Sequence, residues 1–455
     1  MNMSDMREFL RRAAHVKPSA RQLAWYEREF YAFVHFSPNT YTGLEWGLGN
    51  EDERIFNPVS LDCDQWVEAV KSAGMRGLIL TAKHHDGFCL WPSAYTEHCV
   101  KNSPVSTDVV KAAADACRRG GIAFGVYLSP WDRNCPLYGS DAYNDYYKKQ
   151  LTELLTGYGE LFCVWLDGAC GEGPNGRKQE YDFEGYLSLV RRYQPNAVMF
   201  GCGPDVRWVG NEAGLCRKAE WAVVPRELFS LCEAQTGPGP AWREGENQLS
   251  SLNNTAQDIG GDSVIARSSG LCFRGAEVDM SIRPGWFYHP QEEPHSLERL
   301  MQTYLNSVGH NACFNLNIPP MPSGLFDPRD VRRLKEFGAA LRDAFSRNIA
   351  EGCPVARQDL PENRCVFTLR LPSPRSFRHI AMAENIAEGQ RVVSWRLEYR
   401  LKDGPWLPVP GGEGATIGHK EICRVGASPL TADGVRLTVT EARDRADDIS
   451  LYLYE

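Results

Sequence analysis

Residues 77–88 read GLILTAKHHDGF, and they decide the fold class. The first part, Gly77 to Thr81, is an apolar run without alternation of polar and apolar residues, which is typical of a strand buried on both faces. A polar cluster starts at Lys83, directly after this run. Because βα barrels keep their functional residues at the carboxyl ends of parallel strands, the stretch predicts a barrel strand followed by site residues.

The same succession of apolar run and amphipathic segment repeats on both sides of this stretch. Strands are predicted at residues 31–36, 123–128 and 161–166, and helices at 63–73, 107–118 and 143–158. Strands separated by helices indicate a parallel sheet. Neither GxGxxG nor GxxxxGK[ST] follows a strand, which argues against an open nucleotide-binding sheet and favours a closed (β/α)8-like barrel of the TIM type.

Near residue 350 the helical periodicity ends and a different pattern begins. Short alternating strands are predicted at residues 366–371, 394–401, 435–439 and 449–454. Such strands, joined by turn-rich loops, are typical of a β-sandwich. We therefore predict a catalytic barrel over residues 1–347 and a C-terminal accessory β-sandwich over residues 348–455, two domains being expected for a chain of 455 residues.

Charge and composition restrict the partners of the chain. The net charge is -8, and no basic stripe occurs, so nucleic acids and anionic membrane surfaces are not expected as partners. No run of 18 apolar residues and no signal peptide is found, which predicts no membrane span. The fifteen scattered cysteines are expected to be mostly free, buried thiols. We expect a cytoplasmic protein, or a periplasmic or secreted one if an export signal has been removed.

His84 and His85, followed by Asp86, invite comparison with a metal site. A metal site needs a third and a fourth ligand, and no HxxxH or CxxC pattern stands nearby. Neutral imidazoles also form hydrogen bonds with hydroxyl groups, as binding of a polyol requires. We expect no metal and no cofactor, and a metal-dependent hydrolase remains the alternative.

Asp167 follows the predicted strand 161–166 and precedes Gly168. An Asp–Gly pair after a strand often does no more than start a turn. In a barrel, however, Asp167 shares the carboxyl face with His35 and Tyr127, which follow or end other predicted strands. This shared face favours a functional carboxylate.

These motifs and several others occur in an order that resembles the α-L-fucosidases of glycoside hydrolase family 29. They are VHF at 34–36, LEW at 44–46, LTAKHHDGF at 80–88, GVYLS at 125–129, VWLDG at 164–168, PGWFY at 284–288 and NLNIPP at 315–320. TAKHHDGF is the most diagnostic of them. The resemblance covers residues 30–350, and the sandwich motifs at 384–386 and 389–392 also resemble the accessory domain of that family.

The resemblance implies a retaining exo-α-L-fucosidase with Asp167 as nucleophile. The implied fucose-binding residues are His35, Glu45, Trp46, His84, His85, Tyr127 and Trp165. Trp286 or Phe287 is expected to form an aromatic wall against the methyl group of fucose. The family usually has Trp where this chain has Phe36, and we expect this exchange to reshape the pocket wall.

The acid/base residue varies in position within the family. Residues 207–214 resemble a subgroup that favours α-1,3 and α-1,4 fucosyl linkages, which makes Glu212 the expected acid/base. Glu172, Glu220 and Glu277 are the alternatives. The expected partner is a fucosylated oligosaccharide or glycoconjugate. A broad-specificity fucosidase and an inactive glycan-binding barrel remain alternative functions, and the oligomeric state is left open.

Overall fold

The structure, a computed structural model, describes residues 3–226 and 258–455. The strands of the first part are β1 (Phe30–Val34), β2 (Gly77–Lys83), β3 (Ala123–Leu128), β4 (Cys163–Leu166), β5 (Val198–Gly201), β6 (Val206–Trp208), β7 (Val223–Pro225), β8 (Leu271–Phe273), β9 (Gly275–Ser281) and β10 (Ala312–Asn317). Eight of them close a barrel in the order β1-β2-β3-β4-β5-β6-β9-β10. All neighbouring pairs in this barrel are parallel.

Helices lie between most of the barrel strands. They are α1 (Met3–Ala13), α2 (Ala20–Tyr26), α3 (Asn39–Thr42), α4 (Cys63–Ser72), α5 (Val109–Gly120), α6 (Asp141–Gly157), α7 (Phe183–Tyr193), α8 (Asp262–Ile265), α9 (Leu297–Ser307) and α10 (Pro328–Phe345). Short 3-10 helices occupy Glu53–Ile55, Val100–Asn102 and Ile386–Glu388. Only residues 202–205 join β5 to β6, so one strand pair of the barrel has no helix between its members.

The barrel strands are buried on both faces, which explains their apolar runs. On β1, Tyr31 and Phe33 pack in the cluster inside the barrel, whereas Ala32 and Val34 pack in the cluster beneath the helices. Successive residues of a strand point to opposite faces, so both sets must be apolar. Helix α4 supplies Trp66 to the outer cluster, as its predicted apolar stripe requires.

Local capping groups set the starts of the helices. Asp62 accepts hydrogen bonds from the backbone of the first turn of α4, and Asp108 does the same for α5. Asp327 precedes Pro328 at the start of α10, the arrangement in which proline fits a first helical turn. The predicted barrel helices and strands agree with the structure to within two residues at each end, the usual uncertainty at fraying termini.

The second part is a pair of antiparallel sheets. Its strands are β11 (Val355–Asp359), β12 (Cys365–Phe377), β13 (His379–Glu384), β14 (Val392–Arg400), β15 (Leu407–Ala415), β16 (Glu421–Arg424), β17 (Leu430–Ala442) and β18 (Ile449–Tyr454). One sheet has the order β11-β12-β17-β14-β15 and the other β16-β13-β18. Alternate residues of β12, such as Phe367 and Leu369, pack in the core between them. The predicted fold class, a barrel followed by a β-sandwich, is confirmed.

Polar contacts join the sandwich to the barrel. Glu29, just before β1, forms ion pairs with His419 and Lys420 of the sandwich. His310, just before β10, pairs with Glu421 at 3.1 Å. The fourteen cysteines within residues 3–226 and 258–455 are thiols, and ten of these are buried. No helix in the same residues is long and apolar enough to cross a bilayer.

Candidate active site

A pocket of about 180 Å³ lies at the carboxyl end of the barrel strands. Its lining consists of Phe33, His35, Glu45, Trp46, His84, His85, Tyr127, Trp165, Asp167, Ala169, Glu212, Asp279 and Trp286. The lining includes the expected catalytic pair, Asp167 and Glu212, together with the expected binding residues His35, Glu45, Trp46, His84, His85, Tyr127, Trp165 and Trp286. A volume this small, below the ~300–1,000 Å³ of pockets for drug-sized ligands, suits a single small ring.

The barrel topology brings these residues together from distant parts of the chain. His35 follows β1, His84 and His85 follow β2, and Asp167 follows β4 directly. The remaining nominated residues lie within strands or in the loops after β1, β6 and β9. Parallel strands in a closed barrel all end on one face, so strand-end residues meet there whatever their distance in sequence.

Asp167 is oriented by two hydrogen bonds. The Tyr127 hydroxyl donates to its Oδ2 at 2.7 Å, and the Ala169 backbone N–H donates to its Oδ1 at 2.8 Å. His85 Nε2 stands 3.9 Å from the same Oδ2. The side chain remains 24% exposed, towards the pocket, so the carboxylate is held in place and still accessible to a ligand.

The three histidines of the pocket are buried, and burial keeps them neutral. It lowers the pKa of His35 to about 3 although Asn317 Oδ1 accepts a 2.9 Å hydrogen bond from its Nδ1. It lowers the pKa of His85 to about 4, against the opposing charge of Asp167. Burial also holds the pKa of His84 well below its usual range. A neutral imidazole can donate to or accept from a sugar hydroxyl.

The environment of Glu212 favours its protonated form over its charged form. Burial raises its pKa, the charges of Asp167 and Glu45 add to this, and a hydrogen bond from Trp286 opposes it. That bond joins Trp286 Nε1 to Glu212 Oε2 at 3.0 Å. Burial and like charges disfavour the charged form of an acid, which makes it a better proton donor than an ordinary glutamate.

Glu45 links two loops across the pocket wall. Its Oε2 accepts a 2.9 Å hydrogen bond from the Trp286 backbone N–H, and its Oε1 lies 2.8 Å from His289 Nε2. The loop after β1 is thereby fixed to the loop after β9. The ring of Trp286 stands against His35, with 4.9 Å between the ring centroids.

Comparison with known proteins assigns this site to a family. The family described as Alpha-L-fucosidase matches residues 13–210 and 267–344. The chain belongs to the α-L-fucosidase family. It is a glycoside hydrolase of the α-L-fucosidase type, so the alternative of an inactive glycan-binding barrel is wrong. Similar solved structures include members of glycoside hydrolase family 29, which is a retaining family.

Individual relatives agree with this assignment along the whole chain. Alpha-L-fucosidase 1 of Arabidopsis thaliana is 39% identical over 96% of this chain and 86% of its own length. A solved structure from Bacteroides ovatus, assigned as an α-L-fucosidase, is 40% identical with a TM-score of 0.88, covering 100% of this chain and 76% of that one. A family 29 fucosidase of Ruminococcus gnavus in complex with fucose is 29% identical with a TM-score of 0.80, covering 97% and 95% of the two chains.

The alternative acid/base candidates of the fucosidase lie outside the pocket lining. Glu220 is fully buried between Arg207 and Arg217. Glu277 lies in the barrel interior, where burial raises its pKa to about 7 and Trp165 Nε1 donates to it at 2.9 Å. Glu172 does not line the pocket, and its backbone carbonyl accepts a hydrogen bond from Trp131 Nε1. Of the four glutamates considered, Glu212 alone lines the pocket.

One expectation about the pocket wall is wrong. Phe36 does not reach the pocket, because it is fully buried among the aromatic rings of Phe56 and Trp66 on the helix side of β1. The exchange of Trp for Phe at this position therefore does not reshape the wall. Phe287 lies behind His35, with ring centroids 5.6 Å apart, and Trp286 is the aromatic residue that lines the fucosidase pocket.

Sequence reasoning missed Asp279, a further carboxyl group of the pocket. Trp208 Nε1 donates to its Oδ1 at 2.9 Å, and only 3% of the residue is exposed. Burial and then the charge of Glu277 raise its pKa well above the usual range. Carboxylates at positions 277 and 279 alternate on a buried strand, so they point to the same side of it, and this spacing was the available signal.

The HHD triplet of the fucosidase does not converge on one point. His85 Nδ1 bonds Ser129 Oγ at 2.7 Å, whereas Asp86 accepts from Ser37 Oγ at 2.6 Å and from the Phe88 backbone N–H at 2.8 Å. Within the described ranges, no three His, Cys, Asp or Glu side chains are grouped so that they could hold a metal ion. The neutral histidines are instead free to contact hydroxyl groups.

Proposed function

We propose that this α-L-fucosidase removes terminal fucose by a two-step retaining reaction with Asp167 as nucleophile and Glu212 as acid/base. The supporting observation is that both carboxyl groups line one small pocket. Asp167 is oriented by Tyr127 and the Ala169 N–H, while burial and the charges of Asp167 and Glu45 raise the pKa of Glu212. A retaining glycosidase needs this division of labour between two carboxyl groups about 5–5.5 Å apart.

In the first step, protonated Glu212 donates its proton to the glycosidic oxygen while an Asp167 oxygen attacks the anomeric carbon. The bond to the departing sugar breaks, and a covalent fucosyl ester forms on Asp167. In the second step, the Glu212 carboxylate takes a proton from water while the water oxygen attacks the anomeric carbon. The bond from that carbon to Asp167 breaks, which releases fucose, the Asp167 carboxylate and protonated Glu212. Ester formation removes the negative charge of Asp167, which had raised the pKa of Glu212. The pKa of Glu212 therefore falls after the first step, and the deprotonated form that must act as base in the second step is favoured.

The remaining lining residues suit a deoxy sugar. His35, His84 and His85 are neutral and buried, and Glu45 offers carboxylate oxygens, so the wall can pair with hydroxyl groups. Trp286 offers an aromatic face to the methyl group. A galactose analogue would place an extra hydroxyl against such a surface, and burying it unpaired costs about 1–3 kcal/mol.

We also propose specificity for α-1,3 and α-1,4 linkages in a fucosylated oligosaccharide or glycoconjugate. Residues 207–214, which carry Glu212, support this through their resemblance to that subgroup, and a broad-specificity enzyme is the alternative. Comparing kcat/KM on an aryl fucoside, a 2-linked and a 3-linked fucosyl oligosaccharide separates the two.

For location we propose the cytoplasm, whose reducing conditions suit a protein with mostly buried thiols.

Replacement of the nucleophile tests the mechanism. Asp167→Ala should lower kcat at least about 10³-fold, because it removes a group on which both steps depend, and Tm should be unchanged. Added azide should restore turnover and yield a fucosyl azide with inverted anomeric configuration. Glu172→Ala, outside the pocket lining, is the matched control and should retain wild-type activity. Normal hydrolysis by Asp167→Ala would refute the assignment.

A further inference from the structure

The hydroxyl group of Ser129, directly after β3, lies between a histidine of the pocket and a backbone carbonyl. Its Oγ is 2.7 Å from His85 Nδ1, and it donates to the Trp131 carbonyl oxygen at 2.7 Å. Ser129 is fully buried and does not itself line the pocket. Any influence of this residue on a ligand therefore passes through His85.

A serine hydroxyl carries one proton, and this proton sets the direction of the hydrogen bond with His85. A carbonyl oxygen can only accept, so the Ser129 proton points to Trp131, and Ser129 Oγ accepts from the histidine. His85 Nδ1 must then carry a proton. Because burial lowers the pKa of His85 to about 4, the ring is neutral at pH 7, and Nε2 is a bare nitrogen that accepts hydrogen bonds.

The bare Nε2 of His85 lies beside the carboxylate of Asp167. It stands 3.9 Å from Asp167 Oδ2, an oxygen that already accepts from the Tyr127 hydroxyl. Because the Tyr127 proton is directed to Asp167, Tyr127 can only accept from Ser129, and the direction of the bond at His85 is unchanged. Two acceptors side by side, the carboxylate and the bare nitrogen, require donors, and sugar hydroxyls supply them.

The loop that contains Ser129 is fixed to the end of β2. The Ser129 backbone N–H donates to the Lys83 carbonyl at 3.0 Å, and the Arg133 backbone N–H donates to the His85 carbonyl at 2.9 Å. The ammonium group of Lys83 is fully buried and pairs with Asp132 in this loop at 2.9 Å. The serine and the imidazole are therefore held together before any ligand arrives, which reduces the entropy lost on binding.

His35 has the same tautomer, fixed by a different group. Asn317 Oδ1 accepts from the His35 backbone N–H at 3.1 Å, and Asn317 Nδ2 donates to the Trp286 carbonyl at 2.8 Å, so the orientation of the amide is determined. The 2.9 Å contact of the amide oxygen with His35 Nδ1 then places a proton on that nitrogen. Because His35 is also neutral, its Nε2 is a second bare acceptor among the lining residues.

We propose that Ser129 is a positioning residue that fixes His85 as the Nδ1–H tautomer, so that His85 Nε2 accepts a hydrogen bond from a hydroxyl group of fucose. The pocket then selects ligands by the direction of their hydrogen bonds. A hydroxyl can donate to Nε2, whereas a fluorine or a hydrogen in its place cannot. This inference rests on the proposed function and adds to it the residue that sets the polarity of His85.

The first measurement uses the unliganded wild-type enzyme and needs no variant. Nitrogen-15 NMR distinguishes a protonated from a bare imidazole nitrogen by chemical shift, and the signals of His85 are assigned by their absence from His85→Gln. At neutral pH, His85 should show a protonated Nδ1 and a bare Nε2. In Ser129→Ala the proton should move towards Nε2, because Nδ1 has lost its acceptor. A protonated Nε2 in the wild type would overturn the proposal.

The second measurement asks whether Ser129 acts on the ligand through this hydrogen bond. The Ki is determined for L-fucose and for three analogues with fluorine in place of the hydroxyl at C2, C3 or C4. In the wild type, at least one analogue should bind about 10-fold more weakly than fucose. Ser129→Ala should weaken fucose about 10-fold and change that same analogue less than about twofold, because the analogue already lacks the hydroxyl that donates to Nε2.

Equal weakening of fucose and of every analogue by Ser129→Ala is the outcome of a general structural role, and it would overturn the proposal. Fluoro analogues that all bind the wild type as tightly as fucose would do the same. Ser307→Ala is the matched control, because Ser307 is also fully buried and donates to a backbone carbonyl, that of Thr303 at 2.6 Å, without lining the pocket. It should change none of the Ki values.

Failure of the proposed mechanism is distinguishable from failure of this inference. The first would show as normal hydrolysis by Asp167→Ala. The tautomer of His85 and the Ki values do not depend on turnover, so they test Ser129 independently of the two catalytic carboxyl groups.

Discussion

Glu212 and Glu220 belong to the same segment of chain but lie in opposite electrostatic environments. Glu220 is fully buried and pairs with Arg207 and Arg217, and these guanidinium groups lower its pKa against the effect of burial. Among the described residues, Glu212 accepts a hydrogen bond from the neutral Trp286 indole, and burial together with the charges of Asp167 and Glu45 raises its pKa. Burial raises the pKa of both groups, and the charges of the neighbouring residues determine whether the final pKa lies above or below the ordinary value.

This difference separates a structural carboxylate from a chemical one. A buried ion pair such as that of Glu220 holds neighbouring segments together and keeps its charge at working pH. An acid whose pKa is raised by neighbouring carboxylates is the better proton donor of the two. The two glutamates are therefore distinguished by their neighbours in space, which cannot be read directly from the amino-acid sequence.

The largest expected effect tests this division directly. Glu212→Gln should lower kcat/KM on a fucosylated oligosaccharide about 10²–10⁴-fold, because the glutamine has no proton to donate to the leaving oxygen. Activity on aryl fucosides with good leaving groups should be much less affected, and Tm should not change. Steady-state kinetics on both substrates and thermal unfolding measure these outcomes.

Glu220→Gln is the matched variant, and its effects should be the reverse. It leaves two buried guanidinium groups without their carboxylate, which should lower the free energy of unfolding by about 3–5 kcal/mol. The folded fraction should hydrolyse oligosaccharides at the wild-type rate. If Glu220→Gln rather than Glu212→Gln showed the leaving-group dependence, the roles assigned to the two glutamates would be exchanged.

Glu29 extends the comparison to a paired carboxylate between the domains. Burial would raise its pKa, but the hydrogen bond with His419 and the charge of Lys420 lower it to about 2 from an ordinary 4.5. A carboxylate with a lowered pKa stabilises the fold above about pH 4.5, and this stability is lost as the pH falls towards 2. Glu29→Gln should reduce the free energy of unfolding at pH 7 by about 1–3 kcal/mol.

Denaturant unfolding across pH 2–7 measures this contribution. Glu29→Gln has no carboxylate to protonate at this position, whereas the wild type loses this stabilisation as the pH falls. The difference in free energy of unfolding between the two proteins should therefore shrink as the pH is lowered. Arg54→Gln, which removes an exposed ion pair with Asp52, is a suitable control and should leave the free energy of unfolding unchanged at every pH, because solvent screens such a pair. An unchanged difference at pH 7 and at pH 2 would contradict the assigned pairing.

The smallest expected effect concerns the hydrogen bond from the Trp286 indole to Glu212. Trp286→Phe removes the indole N–H that favours the charged form of Glu212, so the pKa of Glu212 should rise further. Because Glu212 must be protonated at the start of the reaction, activity is lost as the pH rises through its pKa, and the basic limb of kcat/KM should move to higher pH. Trp46→Phe should leave the limb in place, and a shift of the Trp286→Phe limb to lower pH would contradict the role of this bond.

Much of the fold and of the strand-end residues could be predicted from the sequence. Residues 77–88 combine an apolar run with a polar cluster, and this local pattern indicates both the strand and the face on which His84 and His85 lie. Glu212 was different, since it lies in a loop without periodicity and was identified only from the resemblance of its segment. The short strands β5 and β6, joined without a helix, carry too few residues for a periodic signal.

Two errors have a common physical origin in the alternation of strand side chains. His35 faces the pocket, so its neighbour Phe36 must point to the helix side, where it packs against Phe56. Glu277 and Asp279 have the same parity, so naming one as a candidate should have brought in the other. Strand alternation therefore places Phe36 on the helix side and Asp279 on the same face as Glu277.

The hydrogen bonds of Glu45 have a consequence for loop exchange between fucosidases. They tie the loop after β1 to the backbone at Trp286, about 240 positions further along the chain. A graft that replaced only one of these loops would leave the carboxylate or its backbone donors without a counterpart. The transferable module for protein engineering is thus a pair of segments, discontinuous in the gene and contiguous only in the folded enzyme.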